Sequence, residues 1–185
     1  MEFLDEHECV PSAHWIDERV ACGSFAAAGC GGPKSARRRR AEALAAAGIT
    51  HVVNCARELP CPHAERFDYL HVPAADVDAQ DMLSFWEETS DFIDEAVSRG
   101  GRVLVHCAGG HSRSGSTVVA WLMRARGLRC ADEALDLARA RRPVVKPIPA
   151  FVDQLRAWGD SGFRPAARAR ADRPPCVRLR RDSPA

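Results

Sequence analysis

The feature that most constrains the fold is a short apolar run at residues 103–105, which a polar, glycine-bearing loop separates from a largely apolar segment at residues 116–126. A short run of Val and Leu is typical of a buried central strand. The second segment has the composition of a helix that is apolar on most sides. We therefore expect a tight loop that leads from the carboxyl end of a buried strand into a buried helix.

Other parts of the chain alternate between strand and helix patterns. Strand patterns lie within residues 15–25, at 49–55 and at 69–72, and helical patterns lie at 35–47, 81–99, 131–141 and 150–158. In the segment at 81–99 the apolar residues recur at the spacing of one helical face. Strands interleaved with helices predict an α/β layered fold.

The two ends of the chain differ in charge from the rest. The 185 residues carry a net charge of only +1, yet residues 1–18 hold six acidic residues and no Lys or Arg, and residues 160–185 hold seven Arg against three Asp. Neither end shows apolar periodicity. We expect a flexible acidic segment at 1–13, one folded domain at 14–159, and a disordered Arg- and Pro-rich tail at 160–185.

The spacing of the cysteines and the lengths of the apolar runs indicate where in the cell to expect the protein. Eight cysteines form no CxxC pair and no zinc-like spacing, so we expect reduced thiols and neither a disulfide framework nor a metal site. No run approaches the roughly 18 apolar residues that cross a bilayer, and the first residues do not resemble a secretory signal. We therefore expect a cytoplasmic protein, with the nucleus as a further location, and no membrane partner.

The loop after residue 105 carries a thiol and a guanidinium separated by five residues, in His106-Cys107-Ala108-Gly109-Gly110-His111-Ser112-Arg113-Ser114. Backbone N–H groups of a loop that opens a helix can cradle an anion. Arg113 offers a planar fork for two phosphate oxygens. The same positive field favours the thiolate of Cys107, which is a nucleophile. The loop therefore predicts a site that binds a tetrahedral dianion and attacks it with sulfur.

This segment resembles the His-Cys-x5-Arg-Ser signature of the cysteine-dependent dual-specificity protein phosphatases. Further blocks between residues 14 and 158 resemble the blocks of that family in the same order, among them Cys22-Gly23-Ser24 and Phe151-Val152-Asp153-Gln154-Leu155. The resemblance implies the cysteine-phosphatase fold, in which helices flank a central, mainly parallel sheet. It also implies a small, single-domain member of the atypical type.

The resemblance implies a two-step mechanism that needs no cofactor. Cys107 attacks phosphorus and forms a phosphocysteine, Ser114 hydrogen-bonds the sulfur when it leaves, and His106 orders the loop from behind. The loop residues that bind the phosphate are then Ala108, Gly109, Gly110, His111, Ser112 and Arg113.

The departing oxygen also needs a proton, and a carboxylic acid on a separate loop supplies it in this family. Asp76 is the candidate general acid, because it follows the predicted strand at 69–72 and precedes the long helix. Asp78 is the second candidate. Asp81 has the position of a helix cap.

The implied reaction is hydrolysis of phosphotyrosine, phosphoserine and phosphothreonine in phosphoproteins, with a protein kinase as one candidate substrate. The alternatives are a phosphoinositide, glycan or RNA 5′-phosphatase on the same fold, a weakly active phosphoprotein-binding module, and a sulfurtransferase. Ala108, Gly109 and Gly110 supply none of the basic residues that a lipid phosphatase of this type tends to have. We expect no nucleic-acid partner, and the oligomeric state stays open.

Two secondary features suggest regulation or docking. In some related phosphatases a cysteine at the place of Cys55 forms a reversible disulfide with the nucleophile, so Cys55 is a candidate redox partner of Cys107. The arginine runs at residues 37–40 and 178–181 are interpreted as a nuclear-import signal or as a docking site for a kinase, or more simply as a solvated helix face and a disordered tail.

Overall fold

A computed structural model describes residues 8–10, 12–164 and 173–181. The described strands are β1 (Glu8–Val10), β2 (Ala13–Trp15), β3 (Val20–Gly23), β4 (Ile49–Asn54), β5 (Asp68–His71), β6 (Arg102–His106) and β7 (Val177–Leu179). The described helices are α1 (Lys34–Ala46), α2 (Leu83–Ser98), α3 (Arg113–Arg126), α4 (Ala131–Arg141) and α5 (Pro149–Asp160).

The strands form one mixed sheet in the order β1-β2-β3-β6-β4-β5-β7. The four inner strands β3, β6, β4 and β5 are parallel, and the outer strands β1, β2 and β7 pair antiparallel with their neighbours. The predicted α/β fold with a central, mainly parallel sheet is confirmed for this inner part. Because β6 lies in the middle of the sheet, the loop that follows it stands at the centre of the carboxyl edge.

Helices cover both faces of the sheet. On one face α1 packs through Ala41 and Leu44 against residues such as Val52 and Leu104. On the other face the remaining helices bury Val53, Val105 and the large side chains of α2, α3, α4 and α5. Side chains alternate between the two faces along each strand, so residues 53, 55, 105 and 107 all point toward the four-helix side.

The structure corrects the expectation of disordered ends. Val177–Leu179 was expected in a disordered tail, but it pairs with the open edge of β5, and Arg173 stacks on the ring of Phe85 at 4.4 Å. Glu8–Val10 likewise forms a strand beside β2. Backbone bonds to a sheet edge stabilise these three-residue strands, and local composition does not report such a partner. Residues 1–7, 11, 165–172 and 182–185 lie outside the described residues.

Two element boundaries also differ from the sequence prediction. The strand predicted within 15–25 is β3 at 20–23, and a second strand that was not predicted, β2 at 13–15, pairs with it antiparallel through a turn at 16–19. The helix predicted at 116–126 begins three residues earlier, at Arg113. Within the described residues, no helix has both the length and the hydropathy to span a membrane.

Candidate active site

The Cys107 loop, residues 107–112, joins the carboxyl end of β6 to the first turn of α3. The side chain of Cys107 is buried beneath it, with 1% of its residue surface exposed. Its Sγ accepts hydrogen bonds from the N–H of Gly110 and the hydroxyl of Ser114, both at 3.2 Å. These two donors and the positive end of the α3 dipole all point at the sulfur.

Gly110 permits the tight path of this loop. Its φ is +73°, and a Cβ at this position would lie 2.7 Å from the backbone of Gly23. The carbonyl of Gly110 accepts a hydrogen bond from Nε of the buried Arg142 at 3.0 Å. At the start of the loop, the carbonyl of Ala108 accepts the N–H of Phe25. Hydrogen bonds from the residues that follow β3 and α4 therefore hold the backbone of the loop.

Arg113 is held by a carboxylate that the sequence reasoning did not single out. Its Nη1 and Nη2 donate to the two carboxylate oxygens of Glu58 at 2.8 and 2.7 Å, and Nη1 also donates to the carbonyl of Ala74. The hydrogen bonds from Arg113 lower the pKa of Glu58. Nε of Arg113 is buried and has no hydrogen-bond partner among the described residues. Glu58 therefore engages both terminal nitrogens of the guanidinium, while Nε makes no hydrogen bond among the described residues.

Glu58 reaches Arg113 because Asn54 shapes the turn that follows β4. The Asn54 side-chain amide donates to the carbonyls of Leu59 and Pro60, and its Oδ1 accepts the N–H of Ala56. An acidic residue just beyond the carboxyl end of an inner parallel strand was a signal that could have revealed Glu58.

Asp76 lies on the neighbouring loop and contacts the Cys107 loop directly. Its Oδ1 accepts a hydrogen bond from the Ser112 hydroxyl at 2.6 Å, and its Oδ2 is 3.8 Å from Nε of Arg113. The Asp76 side chain is 37% exposed. The other two carboxyls named from the sequence lie elsewhere: Asp78 is exposed, and Asp81 accepts the N–H of Ser84 at the start of α2.

Two glutamines brace the Asp76 loop, residues 72–82. Gln80 accepts the N–H of Ala75 and donates to the carbonyl of Asp81. Gln154, on α5, accepts the N–H groups of Met82 and Leu83 and donates to the carbonyl of Gln80. The Asp76 loop is thus tied to α5 through side chains.

Behind the Cys107 loop lie His106 and two further thiols. His106 is fully buried, and this burial lowers its pKa to about 4, so its imidazole is neutral at physiological pH. Cys55 donates its N–H to the His106 carbonyl and its Sγ–H to Thr117. Cys22 donates to the same Ser114 hydroxyl that bonds Cys107, at 3.6 Å.

Both of these thiols are protonated at neutral pH, because burial raises the pKa of Cys22 to about 11 and that of Cys55 further. The redox role of Cys55 stays a prediction, and Cys22 is a second thiol close to Cys107 that the sequence reasoning did not consider.

The Cys107 loop itself contains no lysine or arginine side chain. His111 is exposed, and its carbonyl accepts the N–H of Lys146, whose side chain is also exposed. The cations next to the loop are therefore Arg113 at its end, the buried Arg142 and Lys146.

Comparison with known proteins identifies relatives of this site and fold. The family model of the dual specificity phosphatase catalytic domain matches residues 34–161. The human Dual specificity phosphatase 28 is 41% identical over 120 residues, which cover 65% of this chain and 68% of that protein. The rat Protein phosphatase Slingshot homolog 3 is 40% identical over 110 residues, and the match spans 60% of this chain and 17% of the rat protein.

Solved structures with a similar fold include the same human phosphatase that the sequence comparison found. The crystal structure of human DUSP28 has a TM-score of 0.72 and 35% identity, and the match covers 82% of this chain and 95% of that chain. The human tyrosine phosphatase-like serine/threonine/tyrosine-interacting protein has a TM-score of 0.71 and 28% identity, with 80% and 96% covered. These neighbours confirm the predicted cysteine-phosphatase fold. The chain therefore belongs to the dual specificity phosphatase family and is a protein phosphatase.

Proposed function

We propose that this phosphatase cleaves phosphotyrosine, phosphoserine and phosphothreonine through a phosphocysteine at Cys107. The observation that carries the proposal is the position of Cys107 Sγ, which receives hydrogen bonds from Gly110 and Ser114 beneath a loop that opens α3. A thiolate held in this way is a nucleophile for phosphorus, and the backbone N–H groups above it suit the phosphate oxygens.

In the first step the Cys107 thiolate attacks phosphorus, the S–P bond forms, and the bond from phosphorus to the substrate oxygen breaks. The N–H groups of residues 108–112 and the Nε side of Arg113 stabilise the three equatorial oxygens. Asp76 donates a proton to the departing oxygen. Its contact with Ser112 places the carboxyl at the edge of the phosphate cradle.

In the second step a water attacks the phosphocysteine, and Asp76, now a carboxylate, accepts the proton of that water. The S–P bond breaks and inorganic phosphate leaves. The Ser114 hydroxyl donates its hydrogen bond to the sulfur as negative charge returns to it, which makes Cys107 a better leaving group.

We propose phosphoproteins of the cytoplasm or the nucleus, protein kinases among them, as the substrates. A phosphoprotein suits the rim, because the loop side chains from Ala108 to Gly110 add no positive charge that would select a multiply charged lipid headgroup.

The test is turnover by Cys107→Ser with Cys130→Ser as the matched control, since Cys130 is an exposed thiol at the start of α4. We expect Cys107→Ser to lose activity on an aryl phosphate by about 10⁴-fold or more, and the control to keep it. Intact-protein mass spectrometry after rapid quenching should show a phosphate adduct on the Ser114→Ala variant, whose second step is slowed. If the Cys107→Ser variant hydrolysed the aryl phosphate at the wild-type rate, the proposal would be overturned.

A further inference from the structure

A charged groove lies at the other end of the sheet from Cys107. This tail groove is a cavity of about 570 Å³ between α2 and β7, and the residues that matter for its charge are Asp68, Glu95, Arg99, Arg178, Arg180 and Arg181. Three of its four arginines come from β7 and the two residues that follow it. None of those three lies within the family match at 34–161.

Positive charge exceeds negative charge in the tail groove. Glu95 is shared between Arg99 at 2.9 Å and Arg178 at 3.4 Å. Asp68 pairs with Arg181 at 3.3 Å. His51 lines the same cavity but adds no charge at neutral pH, because burial lowers its pKa. Among the described residues that line the groove, four guanidiniums therefore face two carboxylates, and two positive charges are left for a ligand.

Two of the arginines are open to such a ligand. The Arg99 side chain is 71% exposed. Arg180 is exposed, and no ion pair joins it to another described residue. Exposed guanidiniums that share too few carboxylates form a surface that attracts carboxylate or phosphate groups.

The inner wall of the groove is built from packed residues. The Arg178 guanidinium lies 5.6 Å from the ring centroid of Phe92, and the His51 ring packs edge-on against the same phenyl ring at 5.4 Å. Strand pairing of β7 with β5 holds the backbone that carries Arg178. The position of at least this cation is therefore set by the fold.

The groove lies within reach of a peptide that is bound at Cys107. Strand β4 runs from His51, which lines the groove, to the point where Cys55 follows it beside the Cys107 loop. Four residues of extended strand span roughly 13 Å along the sheet, and β4 and β7 lie one and three strand spacings of about 4.8 Å from β6 across it. The groove is therefore roughly 14 to 19 Å from the Cys107 loop, a distance that about five to eight extended residues span.

From this charge and distance we propose that the tail groove docks an acidic segment of the phosphoprotein substrate, about five to eight residues from the phosphorylated residue. The proposal rests on the phosphatase function proposed above and adds to it the feature that selects the substrate. Arg178, Arg180 and Arg181 of the groove lie outside the family match.

The experiment compares two phosphotyrosine peptides of equal length, one with four Glu residues at the stated distance and one with Gln in their place. We expect the wild-type KM to be about tenfold lower for the acidic peptide, with the difference shrinking at high salt. The variant Arg99→Glu/Arg180→Glu should remove this difference. It should leave kcat and the turnover of an aryl phosphate unchanged.

The matched control is Arg38→Glu/Arg39→Glu, which makes the same charge change in the exposed arginine run on α1. It should keep the preference for the acidic peptide. Equal KM values for the two peptides in the wild type, or an equal loss in the control, would overturn the proposal.

A direct binding measurement distinguishes a failure of the docking proposal from a failure of the proposed catalytic function. Fluorescence anisotropy of an unphosphorylated acidic peptide should show binding to the intact wild-type protein and loss of binding in Arg99→Glu/Arg180→Glu. This result would support docking even if no phosphopeptide were turned over. Tighter binding of a single-stranded RNA of equal charge through the same arginines would overturn the choice of a peptide.

Discussion

The two loops that meet at the active site are held in different ways. The Cys107 loop is buried, and its path is fixed by backbone contacts to β3 and by the buried Arg142. The Asp76 loop depends on the side chains of Gln80 and Gln154, and its carboxyl is partly exposed. The structure thus joins a buried loop, held through its backbone atoms, to a more exposed loop that is held by glutamine side chains.

The largest expected effect tests the rigidity of the Cys107 loop. Gly110→Ala places a Cβ against the Gly23 backbone at a positive φ, so the loop must shift. We expect kcat/KM for an aryl phosphate to fall about 10³-fold. Gly109→Ala is the control, because its Cβ would meet only the His111 ring. Similar activity in both variants would show that the loop is not held as tightly as the contacts indicate.

A second prediction concerns the buried histidine under the same loop. The imidazole pKa is about 6.5 in an unfolded chain and about 4 in the fold, so the unfolded state binds a proton first as the pH falls. The stabilisation by neutral His106 is complete above pH 6.5. It is lost progressively between about pH 6.5 and pH 4, by ~3 kcal/mol in total.

Urea unfolding across this pH range measures the summed effect of His106, His51 and His63, because burial lowers the pKa of all three imidazoles. NMR titration of the individual imidazoles then assigns the share of His106. An NMR titration that gave His106 a pKa above 6 would contradict the prediction without any variant at this position.

The third prediction tests the Asp76 loop. Asp76→Asn keeps the shape of the side chain but removes the proton that it donates. We expect kcat for a phosphoserine peptide to fall about a hundredfold. An aryl phosphate with a good leaving group should be affected much less, because its oxygen departs without a proton. Asp78→Asn is the matched control, and an equal loss in it would reassign the acid.

The smallest expected effect concerns Arg113, which follows the Cys107 loop, donates to Ala74 in the Asp76 loop and is held by Glu58. Glu58→Gln removes the charge opposite Arg113 and one of its two strong hydrogen bonds. We expect kcat/KM to fall about tenfold, since the guanidinium is then less well oriented for phosphate. Glu65→Gln, an exposed carboxylate farther along the same segment, should have no effect. No change in Glu58→Gln would mean that the backbone alone positions Arg113.

The contrast between the loops also explains what could be predicted from the sequence. The Cys107 loop is local, so consecutive residues indicate its strand, its glycines and its helix. Asp76 was indicated only by its place after a strand. Glu58 was missed, because its contact joins residues 55 positions apart in the chain.

The errors at the element ends have different causes. Helix α3 begins at Arg113, three residues earlier than predicted, because the N–H of Ser116 already donates to the carbonyl of Ser112 within the polar part of the loop, where apolar periodicity gives no signal. Strand β7 depends on the open edge of β5, and nothing in three residues of an arginine-rich tail reveals that partner. Long-range pairing therefore decides this strand, which periodicity could not predict.

The pairing of β7 with β5 also matters for handling the protein. A chain that ended at residue 161, where the family match ends, would leave the N–H and C=O groups along one side of β5 without partners. Exposed strand edges recruit strands from other molecules, and such recruitment leads to aggregation. The C-terminal segment therefore acts as a built-in guard against self-association, and preparations that omit it should precipitate more readily than the full chain.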